Sequence, residues 1–328
     1  GTLKLFFPDS NGESTLGTIG ASSTLNRTEY NGKTYFATET GLWSADDATG
    51  ILKKEGIASP ERLPTVTVVE GDSTPTQVAV SVRNQAGEES GAVFLGSFEG
   101  KVELTGIVIP PNGRLVVYAG FDGAPLRAVS VLAAAPPSLM VDEANGNLCT
   151  TLDLAPFPAI EEVTWVGGRL YGSSNNRVYF SNPFVPHLVD TRYGYVELPT
   201  KVTMLQAVDG GFYVADTTGI WYVSESTERP QMEFLGNQKV VAWSGMSLQG
   251  SYLSPDLFKG DARRMAVWLT TTGFFAGSSG GRMARINTSR VRLREGLSGR
   301  TALLEQDGIT RLVAMLNAEP NLVFETGD

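Results

Sequence analysis

Apolar and polar positions alternate every second residue through most of the chain, and a period of two places successive side chains on opposite faces of a strand. Residues 202–225, VTMLQAVDGGFYVADTTGIWYVSE, show this most compactly. An apolar run, a step at Gly210 and Gly211, a second run FYVA, a polar corner closing on Gly219 and a third run IWYV predict a compact antiparallel unit. Gly219 is expected to supply a positive φ at the corner, which glycine adopts without steric cost.

The same pattern recurs as GKTYFATETGLWS (32–44), GGRLYGSSNNRVYFSN (167–182) and RMAVWLTTTGFFAGS (264–278), with weaker copies at 111–118 and 303–316. Each is an aromatic or β-branched run, a turn rich in Ser, Thr or Asn, and another such run. The better copies recur at a spacing that suits propeller repeats of about 40–50 residues and four strands each. The predicted class is therefore all-β, a β-propeller-like fold of about six or seven blades over residues 32–328. Residues 1–31 read as an N-terminal arm or closing strand, with the two chain ends pairing in one blade so that no sheet edge is left open.

Between the clear hairpins, residues 65–100 and 102–141 keep the period of two. Only 125–135 and 299–306 admit a short helix. The five tryptophans, Trp43, Trp165, Trp221, Trp243 and Trp268, fall in or beside the repeat strands and are expected in blade cores. No stretch approaches the ~18 apolar residues that span a bilayer as a helix. The abrupt GTLKLFF start is expected to continue a longer upstream chain.

Composition narrows the chemistry. Cys149 is the single cysteine, so neither an internal disulfide nor a multi-cysteine zinc site is expected, in keeping with a reducing compartment. His187 is the single histidine and reads as a packed loop residue, with no metal and no cofactor expected. A net charge of −9 argues against wrapping nucleic acid through a broadly basic surface. Within that acidic chain, residues 282–300 carry Arg282, Arg285, Arg290, Arg292, Arg294 and Arg300 against one acid, Glu295. Alternation of Arg290, Arg292 and Arg294 with Val291 and Leu293 predicts three guanidiniums on one strand face, which is either scattered solvated arginine on an outer strand, a subunit contact or a DNA-facing stripe.

The succession GGRLYGSSNNRVYFSNPF, an extended polar loop, and LPTKVTMLQAVDGGFYVADTTGIWYV resembles propeller-bearing tail proteins of bacteriophages, most of all the nozzle or tail-hub (tail tubular) proteins of short-tailed phages. The likeness is good over about 160–325 and loose over 30–130, and the chain departs from the family in lacking its inserted platform domain. The resemblance implies a structural virion protein, assembled in the host cytoplasm and located in the tail. Copies of the chain would form a ring against adaptor, tail fibre or spike proteins, with double-stranded DNA passing transiently during ejection and no small-molecule substrate.

Candidate catalytic patterns are weak, and no catalytic residue is expected. Residues 277–281, GSSGG, match G-x-S-x-G with Ser279 in the nucleophile place, but lie between strands rather than on a strand-to-helix turn. Asp216 resembles a turn-bracing aspartate. Adjacent carboxylates at 46–47, 88–89 and 161–162 read as solvated loop residues, since strand neighbours point to opposite faces. The alternative reading is a carbohydrate-binding or glycan-cleaving propeller. It expects arginines, a tyrosine and acids gathered at a central pocket, whereas a conduit expects an undecorated hole and large contacts between copies.

Overall fold

The computed structural model describes residues 2–9, 12–20, 26–69, 73–183, 185–225, 230–253, 256–286, 292–307 and 309–317. Its regular elements there are strands and three short 3-10 turns, so the chain is all-β. Both stretches that admit a helix by sequence are extended, as the strands Arg127–Leu132 and Ser298–Gln306. Contacts divide the chain into two compact units, one of residues 1–53, 158–184 and 194–328, the other of 54–157 and 185–193.

The first unit is propeller-like. It contains three antiparallel four-stranded sheets, each built in sequence order, and four strands of a sheet that has six in all. The first sheet is Arg27–Tyr30, Lys33–Thr38, Gly41–Asp46 and Leu52–Lys54. The second comprises Glu162–Val166, Arg169–Ser174, Arg177–Asn182 and Tyr195–Glu197. The third is Met204–Val208, Gly211–Ala215, Ile220–Ser224 and Gln231–Gly236. The fourth is Met246–Gln249, Arg264–Thr270, Gly273–Gly277 and Met283–Arg285. The first strand of the second sheet touches those of the first and third, and the first strand of the third sheet touches the fourth sheet.

In the third sheet the first three strands are apolar at nearly every position because both faces are covered. Leu205, Ala207, Phe212, Val214, Trp221 and Val223 face Tyr171, Val178 and Phe180 of the second sheet. Their sequence neighbours Met204, Val208, Tyr213, Ala215, Ile220 and Tyr222 face Ala266 and Trp268 of the fourth. A sheet covered on both faces reads as a continuous hydrophobic run. Trp268 and Tyr213 are fully buried, with ring centroids 5.1 Å apart.

The ends differ from expectation. Arg27–Tyr30 already belongs to the first sheet, so an arm ending at residue 31 would cut it. Among the described residues Thr2–Asp9 and Gly12–Gly20 pair as a hairpin, and so do Ser298–Gln306 and Ile309–Asn317, the latter also joined to Ala242 by a single parallel bridge at Ser298. Among the described residues the two chain ends therefore do not share a sheet, and the four strands of the first sheet come from contiguous chain.

The second unit packs two sheets face to face. One has Gly113–Phe121 and Pro75–Asn84 at its centre, flanked by Arg127–Leu132 and Val93–Glu99; the other has Val102–Thr105 between Thr65–Val68 and Ser138–Val141. Val78, Val80, Val102, Leu104, Leu115, Val117 and Val141 fill the space between them. Thus a separate unit lies in sequence between the first and second sheets, where the sequence reading placed a continuous propeller with no insertion. The edge strands here bury one face at most, as Thr65–Val68 shows, unlike the doubly covered strands of the first unit.

Candidate functional site

First strands of all four sheets in the first unit, joined by residues 300–303, line a polar cavity of about 800 Å³. In Arg27–Tyr30, Thr28 is buried and its neighbours Arg27 and Glu29 are exposed; both line the cavity. Thr164, Gln206 and Ser247 contribute from the next three first strands. Gln249 pairs in register with Arg264, the first residue of its strand, and brings that guanidinium to the wall. Arg300 arrives from the C-terminal hairpin and Tyr252 from a 3-10 turn. Three arginines, a tyrosine and one carboxylate therefore gather where a conduit reading expects bare walls.

Arg264 is poorly compensated. Burial holds its pKa below the ordinary value, against the field of Asp209. Among the described residues its hydrogen bond is a 3.4 Å contact to the Trp165 carbonyl. Next to the cavity-lining Val163, Glu162 is 1% exposed. Neither carboxylate oxygen has a well-formed hydrogen bond, and desolvation raises the acid to about 8 despite the opposing charge of Arg300. Its neighbour Glu161 points the other way and pairs with Lys201 at 2.8 Å. The pair at 161–162 is thus half solvated and half buried, not a solvated loop.

The described part of the arginine segment at 292–294 is not a strand. Arg290 and Val291 lie outside the described residues, and Arg292–Arg294 is irregular backbone with Leu293 buried and both arginines exposed. Leu293 anchors that stretch in a small core with Val241, Leu269 and Leu297. Arg282 is exposed and its carbonyl accepts from Tyr213 Oη at 2.9 Å. Arg285 is on the last strand of the fourth sheet and donates to the Thr272 carbonyl. Arg300 alone of the five described arginines of the segment lines the cavity.

Other sequence candidates are structural. Asp216 Oδ1 accepts from Thr218 N, Thr218 Oγ1 and Gly219 N at 2.6, 2.7 and 3.0 Å, and Oδ2 accepts from Thr200 N at 2.9 Å. This is a braced corner. Ser279 sits in a 3-10 turn whose peptides are held by tyrosines: Tyr213 Oη donates to Ser278 O at 2.6 Å and Gly280 N donates to Tyr222 Oη at 3.1 Å. Trp165, Trp221 and Trp268 are buried as expected, while Trp43 and Trp243 are only partly covered.

In the second unit, Glu89 accepts from Ser81 Oγ at 2.6 Å, from Arg83 at 2.7 Å and from Tyr118 Oη. Burial alone would raise this carboxyl; the three donors outweigh it and hold the acid below its ordinary value. Ligand atoms of Glu55, Glu88 and His187 lie within 4.8 Å of one another, with Glu55 buried. Two carboxylates and an imidazole form a donor set that divalent cations accept. Counting one histidine obscured this group, because its carboxylates are distant in sequence. His187 Nε2 also lies 3.3 Å from the Glu89 carbonyl, so the loop reading describes part of its role.

No family model matches the chain, and no curated protein matches it. Among solved structures, two crystals of BBS1N in complex with ARL6DN, one soaked with lead and one with mercury, align over 96% of this chain and 85% of that chain. Their TM-scores are 0.37 and 0.34, at 9% and 7% identity, a likeness too slight to carry a functional argument.

Proposed function

We propose that this protein is a structural component of a bacteriophage tail, a nozzle- or hub-type subunit that assembles with copies of itself and adjoining tail proteins around the path of the genome, without catalysis. The observation that supports this reading is the folding of the two resemblance-bearing stretches. GGRLYGSSNNRVYFSN supplies the middle strands of the second sheet, and TMLQAVDGGFYVADTTGIWYV supplies three strands of the third. Outer strands suit lateral contact: Met232 and Phe234 on Gln231–Gly236 are 41% and 52% exposed. Exposed arginines at 282, 292 and 294 offer charge for acidic neighbours in an acidic protein.

Incorporation into tails tests the reading. Antibody against the chain is expected to label the tails of the source phage, and disruption of its gene is expected to yield heads that lose DNA or fail to eject it. Infectious particles that lack the chain would overturn the proposal.

A further inference from the structure

We propose that the polar cavity of the first unit is a binding site for an acidic sugar, a hydroxyl-rich small molecule that carries a carboxylate. This inference rests on the cavity and not on the tail reading, whose conduit form expects an undecorated hole, and ligand binding and incorporation into tails are measured separately. Arg27, Arg264 and Arg300 reach the cavity from three separate strands, against Glu29 as the one acid among the described residues of its wall. Such a local excess of cations runs against the chain's net charge of −9.

Arg264 is the anchor. A guanidinium has five N–H donors in a planar fork, and leaving them unmatched out of water is costly. Its hydrogen bond among the described residues is the long one to Trp165, so most of the fork is open to an incoming carboxylate, which it can grip through two parallel bonds. Arg27 is exposed at the same cavity and adds attraction with less desolvation.

Size and lining select the ligand class. A cavity of about 800 Å³ is far larger than an inorganic anion needs, given that a water occupies about 30 Å³ of liquid. The wall carries polar groups of Thr164, Gln206 and Ser247, the kind of partner that sugar hydroxyls require, and offers little apolar surface for a fatty or aromatic acid. Thr164 and Gln206 are buried, and the Ser247 hydroxyl donates to the Ala207 carbonyl at 3.0 Å while its oxygen remains an acceptor. Tyr252, half exposed at the cavity, provides a flat face against which a sugar ring can lie.

Calorimetry and ligand-observed NMR with glucuronate, N-acetylneuraminate, glucose and inorganic phosphate, on the full chain, test the inference. At least one of the two acidic sugars is expected to bind at millimolar concentration or below, with glucose showing no binding. Arg264→Gln is expected to weaken binding by roughly tenfold or more. Because a half-buried position risks misfolding, Arg27→Gln serves as the second variant, with an expected loss of about threefold and an unchanged unfolding midpoint. Absence of acidic-sugar binding, equal binding of glucose, binding of phosphate alone, or wild-type affinity in both variants would each overturn the assignment.

Discussion

Glu162 places a carboxyl where water does not reach it, and its chemistry follows from that position. Its acid is raised to about 8 by burial, against about 4.5 for an ordinary glutamate. The folded state therefore favours the proton. The stabilising contribution of protonated Glu162 is fully present below the ordinary value and is lost as pH rises through the folded one. Glu162→Gln is expected to leave the melting temperature nearly unchanged at pH 4 and to raise it by several degrees at pH 9. Thermal unfolding of both proteins across that range checks the sign; an equal shift at both ends would contradict it. Asp216 is buried as well, but four hydrogen bonds satisfy its two oxygens. Asp216→Ala is expected to cost about 2–3 kcal/mol in urea unfolding, through orphaned amides at the corner.

The corner that Asp216 braces is one version of a device used in three sheets. Between the second and third strands, Thr38 Oγ1 donates to Gly41 O at 2.7 Å and Thr270 Oγ1 donates to Gly273 O at 2.9 Å. In the third sheet the aspartate takes that place and binds amides instead. The glycine at this corner serves a different purpose from the one the sequence suggested. Gly210, with φ of +75°, takes the left-handed conformation in the preceding turn, whereas Gly219 is held by crowding. A Cβ on Gly219 would fall 2.4 Å from the Gly236 carbonyl oxygen and 2.7 Å from the Phe234 ring. Gly219→Ala is expected to destabilise the protein by about 1–3 kcal/mol, while Gly32→Ala, at a turn with open space, is expected to cost only backbone strain of about 1 kcal/mol. Equal losses in denaturant titrations would contradict the crowding argument.

These elements show what was legible in the sequence. Thr-x-Thr-Gly and Asp-Thr-Thr-Gly between aromatic runs announce the hairpins correctly, because the corner chemistry and the period of two are both local. Residues 65–141 show the same period of two, yet they pair out of sequence order into two facing sheets. Periodicity names the strand but not its partner, so the division at residue 54 was hidden. The cavity was hidden for a related reason. Arg27 is separated from Arg264 and Arg300 by most of the chain, and only the packing of the sheets with the C-terminal hairpin brings them to one wall.

At the scale of the molecule, two surfaces are set for different tasks. The cavity carries polar and cationic groups suited to a small ligand. Outer strands carry exposed apolar side chains, with Phe234 on the third sheet and Met315 on the C-terminal hairpin, 79% exposed. Exposed apolar groups near exposed arginines favour association with a neighbouring chain. A double change, Met232→Ser with Phe234→Ser, is expected to leave the fold intact and to weaken self-association by roughly tenfold or more. Arg282→Glu is expected to act in the same direction with a salt-dependent effect. Sedimentation at two ionic strengths separates the two.

The most direct test of the structural reading is the mass of the purified chain in solution, alone and mixed with tails of its source phage that lack it. The account predicts a closed oligomer, or a monomer that joins those tails in fixed copy number. A stable monomer that ignores the tails would contradict it.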